Sequence, residues 1–281
     1  MAGHSGDLMT LDLKPVEFIH GLNADVAQMH ENIRINCARF GLPRFRMRRA
    51  ILVAGGPSAN DHVDAITAAA VDHEVWCVNG AHDWLRDHGI VPRTCVLLDA
   101  SDKLNRCIER PLRGVRYMVA SQASPSLVDR LVEAGTNVVL WHAALDDAAH
   151  ELMGERSTIM SGVNTVGLHA LQIMLYEGVR RVTIYGMDSS HRTGADHAYD
   201  NSHQGDVAEI EFHLDGQKYL STGTWASQAV MFHDLYPHFV RAGMRIEVVG
   251  DGLLPAMWRK AHAALIEQEQ QAALAANQES D

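Results

Sequence analysis

Residues 50–58, Ala-Ile-Leu-Val-Ala-Gly-Gly-Pro-Ser, decide how this chain is read. The apolar run is short and closes on two glycines and a proline, the pattern of a buried parallel strand entering a tight turn. Glycine lets a backbone come close to an anion. The residues that follow predict a helix over 60–71, capped by Asn60 or Asp61. Its first N–H groups and positive dipole end would face the turn, together a good anion site. The expectation is a nucleotide whose phosphates lie over Gly55, Gly56, Pro57 and Ser58. No lysine follows, so this is not a Walker A loop, and the glycine spacing is not that of G-x-G-x-x-G.

Outward from this turn the pattern repeats. Strands are predicted in 73–80 (HEVWCVNG), 93–100 (RTCVLLDA), 114–121 (GVRYMVAS), 136–142 (TNVVLWH), 180–188 (RRVTIYGMD) and 244–252 (MRIEVVGDG). Helices are predicted between them, among them 81–89, 124–135 with Ser124 as its cap, 164–178 and 224–242. Strands alternating with helices imply an α/β, Rossmann-like fold: a mostly parallel sheet flanked by helices with right-handed crossovers. Before it, Val16, Ile19, Leu22, Val26, Met29 and Ile33 recur at helical spacing and predict an N-terminal helical extension over 16–41. The expected organisation is an extension over 1–49, the Rossmann-like unit over 50–254, and a C-terminal helix fading into a frayed tail over 255–281. Residues 189–223 break the alternation; they are polar and too long for a plain connector, which marks a functional loop or disorder.

The 281 residues carry a formal net charge of -11, which argues against broad nucleic-acid binding. Arg44, Arg46, Arg48 and Arg49 form the one basic cluster, read as a solvated approach to the first strand or, less readily, the neighbourhood of an anionic ligand. Cys37, Cys77, Cys95 and Cys107 form no C-x-x-C pair and read as reduced thiols, as in a cytoplasmic protein. The first residues lack a secretory pattern, and no apolar run approaches the roughly 20 residues of a membrane span. Oligomeric state stays open; a homo-oligomer is compatible with the sequence.

Polar residues gather just past the predicted strand ends: Asn79-Gly80, Asp99 and Gly186-Met187-Asp188. In open α/β sheets ligands bind at that edge. Asp99, after Val-Leu-Leu, reads as a ligand or metal carboxylate. In Ser161-Gly162-Val163-Asn164-Thr165 either Ser161 or Asn164 would cap the next helix, whose N-terminus can also grip a phosphate. The loop holding His191, Asp196, His197, Asp200 and His203 has histidines six apart, which is not zinc spacing. One histidine as a general base fits better; a polar lid without a catalytic histidine is the alternative. Trp141 and Trp225 are offered for ring stacking, with packing the preferred role.

Taken in order, the motifs GGPS (55–58), CVNGA (77–81), GIVPRTCVLLDA (89–100), SGVNTVGLHAL (161–171) and VTIYGMDSS (182–190), with His197 beyond, resemble the MptE-like family, which includes the core of the Maf flagellin-modification proteins. The resemblance runs from about Ala50 to Val249. It implies a nucleotide-dependent transferase acting on a small-molecule acceptor. The named family activity is 6-hydroxymethyl-7,8-dihydropterin diphosphokinase, with ATP and Mg²⁺; Mg²⁺ would fall to Asp99 or Asp188. The Maf branch implies transfer of a sugar from a CMP donor, with Asn79 and Ser58 on the nucleotide and His197 as the base. A nucleotide-binding protein without turnover is a third reading. The chain departs from the family at Pro92-Arg93, where Pro-Asp is usual, and at Gly250-Asp251-Gly252, where an Asn/Thr-rich stretch is usual.

Overall fold

A computed structural model describes residues 25–39, 48–153, 159–160, 162–192, 195, 197–199 and 208–278. Strands β1 (Arg48–Val53), β2 (Glu74–Val78), β3 (Thr94–Leu97), β4 (Arg116–Ala120), β5 (Asn137–Ala143), β6 (Ile159–Met160), β7 (Val179–Tyr185) and β10 (Arg245–Val248) form one sheet in the order β10-β7-β1-β2-β3-β4-β5-β6. Every pairing in it is parallel. The chain order reverses between β7 and β1, the switch point at which an open α/β sheet leaves a crevice. All seven strands read from the sequence are present; β6 adds two residues at the far edge.

Both faces of the central strands are buried, which is why those strands read as continuous apolar runs. Alternate residues serve opposite cores. Ala50, Leu52, Trp76, Val96 and Met118 face α7 (Val166–Tyr176), α8 (Gly223–Arg241) and α9 (Leu253–Gln278). Ile51, Val53, Val75, Cys95 and Tyr117 face α2 (Val63–Ala69), α3 (Ala81–Asp87), α4 (Leu104–Cys107) and α5 (Pro125–Glu133). The N-terminal extension is described only as α1 (Val26–Cys37), which packs on α6 (Asp147–Met153) through Ile33. Two buried asparagines one turn apart fasten it: Asn32 Nδ2 donates to the Gln122 carbonyl, and Asn36 Nδ2 to those of Ser121 and Ala123. The earlier part of the predicted helix lies outside the described residues.

The polar stretch 189–223 contains structure that the sequence reading missed. Glu209–Leu214 (β8) and Gln217–Thr222 (β9) form an antiparallel hairpin. Its two-residue turn is Asp215-Gly216, both at positive φ (50° and 81°), the conformation that matches strand twist in a tight hairpin. Among the described residues no helix is long and apolar enough to cross a membrane.

Candidate functional site

The glycine turn is pinned from below. Past Val53 the chain enters a 3₁₀ turn, Pro57–His62, before α2 begins at Val63. The predicted cap at Asn60 or Asp61 is not made; Asn60 instead accepts from Trp84 Nε1 and donates to the Ala198 carbonyl. Three of the turn amides are spent within the protein. Gly56 N donates to the Gly186 carbonyl at 2.6 Å, Ser58 N to Asp188 Oδ2 at 2.8 Å, and Ala59 N to the Gly56 carbonyl at 3.1 Å; Pro57 has no N–H to give. Asp188 thus holds the anion position expected for a phosphate. Its other oxygen accepts from Ser58 Oγ at 2.5 Å.

Asp188 is a hub. It is 3% exposed, and burial pushes its carboxyl above the usual range, with the two Ser58 hydrogen bonds pulling the other way. Glycines from separate segments close on it. A Cβ on Gly56 would lie 2.5 Å from Asp188 Oδ2 and 2.6 Å from the Gly186 carbonyl. One on Gly252 would lie 2.5 Å from the Asp188 carbonyl, and one on Gly250 would lie 2.8 Å from Ser58 Oγ. The Gly-Asp-Gly that departs from the family pattern is therefore part of the hub. Between its glycines Asp251 pairs with Arg192, which also pairs with Asp61.

Above the turn lies a cavity of about 240 Å³. Gly55, Gly56, Asn79, Asp188 and His197 of the sequence-predicted residues line it. Pro57 and Ser58 are buried beneath. Asn164 sits behind it, donating to Ser227 Oγ on α8. Asp99 does not line it; it is half-buried and accepts from the amide of Ser101. Ser161 lies outside the described residues, as do Asp196, Asp200 and His203. Among the described residues no three His, Cys, Asp or Glu side chains come together as a metal site. Asp188 is engaged by Ser58, and one oxygen of Asp99 by its own turn.

Three features of the cavity were not read from the sequence. First, α7 starts at Val166, not under a Ser161 or Asn164 cap; Thr165 is its N-cap and makes no side-chain capping bond. Its hydroxyl accepts from Gln228 Nε2 at 2.6 Å, and Gln228 Oε1 accepts from Ser189 Oγ at 2.9 Å. The uncapped first turn, with Thr165, Val166 and Gly167 on the cavity wall, presents free donors and a dipole end to the cavity. Secondly, Tyr199 covers the glycines: a Cβ on Gly55 or Gly80 would come within 2.5 or 2.6 Å of its hydroxyl. The segment is held there by Ala198 N donating to the Gly55 carbonyl at 2.9 Å. His197 lies between the rings of Tyr199 and Trp225, at 5.5 and 5.4 Å. Trp225 is thus a wall of the cavity, whereas Trp141 is buried and donates to the Met118 carbonyl. An aromatic residue inside a polar His/Asp-rich loop was the available signal for Tyr199.

Thirdly, the rim carries backbone strain. Asn79 (φ 43°) and Ser189 (φ 54°) both line the cavity in the left-handed region, at a cost on the order of 1–3 kcal/mol each. Asn79 Oδ1 is buried without a hydrogen-bond partner.

A parallel sheet wound on both faces, with a cavity at the carboxyl ends of β1, β2 and β7, defines a Rossmann-like α/β protein. The chain belongs to the MptE-like family: the model of that family, described as 6-hydroxymethylpterin diphosphokinase MptE-like, matches residues 27–194. This bears out the resemblance read from the motifs. No curated protein sequence matches the chain significantly. Among solved structures, a Maf glycosyltransferase from Magnetospirillum magneticum AMB-1 aligns with a TM-score of 0.60 at 18% identity, covering 84% of this chain and 41% of that one. At that identity the likeness concerns the fold, and the chain spans less than half of that protein.

Proposed function

We propose that this protein is a nucleotide-dependent transferase, and specifically a glycosyltransferase that uses a CMP-sugar donor. One observation carries the choice: among the described residues, the cavity wall pairs an uncapped helix start with neutral donors and His197 and includes no lysine or arginine. Moving a pyrophosphoryl group from ATP depends on neutralising a triphosphate with cations; the single phosphodiester of a CMP-sugar asks much less. The first turn of α7 receives that phosphate. Asn79 Oδ1, an acceptor in want of a donor, suits an exocyclic amine such as that of cytosine. His197 takes the proton from the acceptor hydroxyl as its oxygen attacks the sugar carbon and CMP departs. Asp188 is a positioning residue that holds the glycine turn under the cavity, and Ser58 serves Asp188.

The family description supports a second reading, diphosphoryl transfer from ATP to a pterin-like hydroxyl. Thermal unfolding with CMP or ATP, each with Mg²⁺ or with EDTA, separates the two. Ligand at 100 times its Kd stabilises by about 2.7 kcal/mol, a shift of several degrees. CMP is expected to give that shift in EDTA, and His197→Ala to keep it while abolishing sugar transfer. A shift with ATP alone, lost in EDTA, would move the assignment to the diphosphokinase. No shift with either would leave the chain without nucleotide chemistry.

A further inference from the structure

At the opposite end of the sheet three arginines stand side by side. Arg49 on β1 is in register with Arg181 on β7, and Arg181 with Arg245 on β10. Residues in register on neighbouring strands share a face and lie about 4.8 Å apart. The other face of these strands is buried under α7, α8 and α9. On this face Arg49, Arg181 and Arg245 are exposed. None of the three side chains makes a hydrogen bond or ion pair with another described residue. Like charges placed directly opposite on a sheet destabilise it, and here two such contacts adjoin in a protein of net charge -11.

The three side chains, with His73 and Thr183, line a cavity of about 280 Å³. Glu247, two residues beyond Arg245, is the one acid among the described residues lining it, so the wall is strongly cationic. The row spans two strand spacings, about 10 Å. Each guanidinium offers a fork of donors that matches phosphate oxygens.

We infer that this row is a second anion site, separate from the carboxyl-end cavity, and that it takes a compact oligophosphate of two or three phosphoryl groups. The cavity is too small for a macromolecule, and the spread of charge exceeds what one phosphate can meet. The inference does not depend on the CMP-sugar reading.

The test is calorimetric titration of the full chain with inorganic tripolyphosphate, with hexa-aspartate and a short single-stranded oligonucleotide as alternative anions. One tripolyphosphate per chain is expected, bound at least tenfold more tightly than either alternative. Arg181→Gln should weaken it at least tenfold, raise the melting temperature of the ligand-free protein by relieving two like-charge contacts, and leave the CMP-induced shift unchanged. Absence of tripolyphosphate binding, equal binding of hexa-aspartate, tighter binding of the oligonucleotide, or unaltered binding by Arg181→Gln would each overturn the inference. Arg245→Gln is a second variant at the sheet edge, expected to weaken tripolyphosphate in the same direction should Arg181→Gln fold poorly.

Discussion

Replacing Asp188 in two ways separates a positioning carboxylate from a reacting one. In Asp188→Ala the backbone N–H and the hydroxyl of fully buried Ser58 both lose their acceptor. A buried donor left unsatisfied costs about 1–3 kcal/mol, so the pair costs about 2–6 kcal/mol, or a fall in Tm of roughly 5–20 °C for a chain of this size. Asp188→Asn keeps the shape. Its carbonyl still accepts from Ser58 N, and its amide can donate to Ser58 Oγ, whose hydroxyl turns to suit. It also removes a buried charge. Because burial raises the folded carboxyl above its unfolded value, ionising Asp188 costs stability as pH rises from the unfolded value through the folded one. The asparagine variant should therefore match or exceed the parent at pH 7 and lose ground to it as pH falls through that window. Urea unfolding of the three proteins at pH 7 and near pH 4 measures this. If Asp188→Ala keeps full stability while either variant abolishes transfer, the carboxylate belongs to the chemistry and the hub argument fails.

Other expectations follow from the same geometry. Gly55→Ala meets only the far end of the Tyr199 side chain, whereas Gly56→Ala meets the Gly186 carbonyl and the buried Asp188; thermal unfolding should show under about 1 kcal/mol lost for the first and about 1–3 or more for the second. Asn79→Gly keeps a backbone that tolerates positive φ and deletes the unpartnered oxygen, so nucleotide affinity should fall at least tenfold with stability within about 1 kcal/mol of the parent; calorimetry showing unchanged affinity would remove Asn79 from the ligand. Burial on the inner side of α7, against Trp141, pulls His169 down to about 4, below the roughly 6.5 of an unfolded histidine. Its contribution is full above pH 6.5 and is lost as pH falls toward 4, by about 3 kcal/mol in all; His169→Phe should flatten that part of the pH–stability curve.

The central strands were legible because they are buried on both faces and end in turn residues; β10 alternates buried with exposed residues and shows the period of a half-buried edge strand. Ala50–Val53, Glu74–Val78 and Val179–Tyr185 are local signals, and the rim they build follows from them. What failed locally was decided at long range. Asn60 has the side chain of a cap, but the turn it follows is held by a carboxylate 130 residues away, so the helix begins later and Asn60 is free to bind the His197–Tyr199 segment. The glycines at 55 and 56 looked alike and serve different neighbours, one under an aromatic ring and one against a backbone carbonyl. The hairpin at 209–222 was hidden by its polar exposed residues, although Asp215-Gly216 announces its turn. Asp99 was placed by analogy with the other strand ends; it lies off the cavity wall, with one oxygen accepting from its own loop.

The hub has a consequence for synthesis. Asp188 is enclosed by Gly250 and Gly252, and its carbonyl receives the amide of Leu254 at 2.9 Å. A ribosome that has delivered the glycine turn, Asn79 and His197 has supplied most of the cavity wall and none of its closure. Until residue 254 leaves the exit tunnel, Asp188 and Ser58 have no lid, and β7 still lacks its edge partner β10. Functional competence thus arrives late in translation, and a chain stalled before that point exposes an open sheet edge to its neighbours.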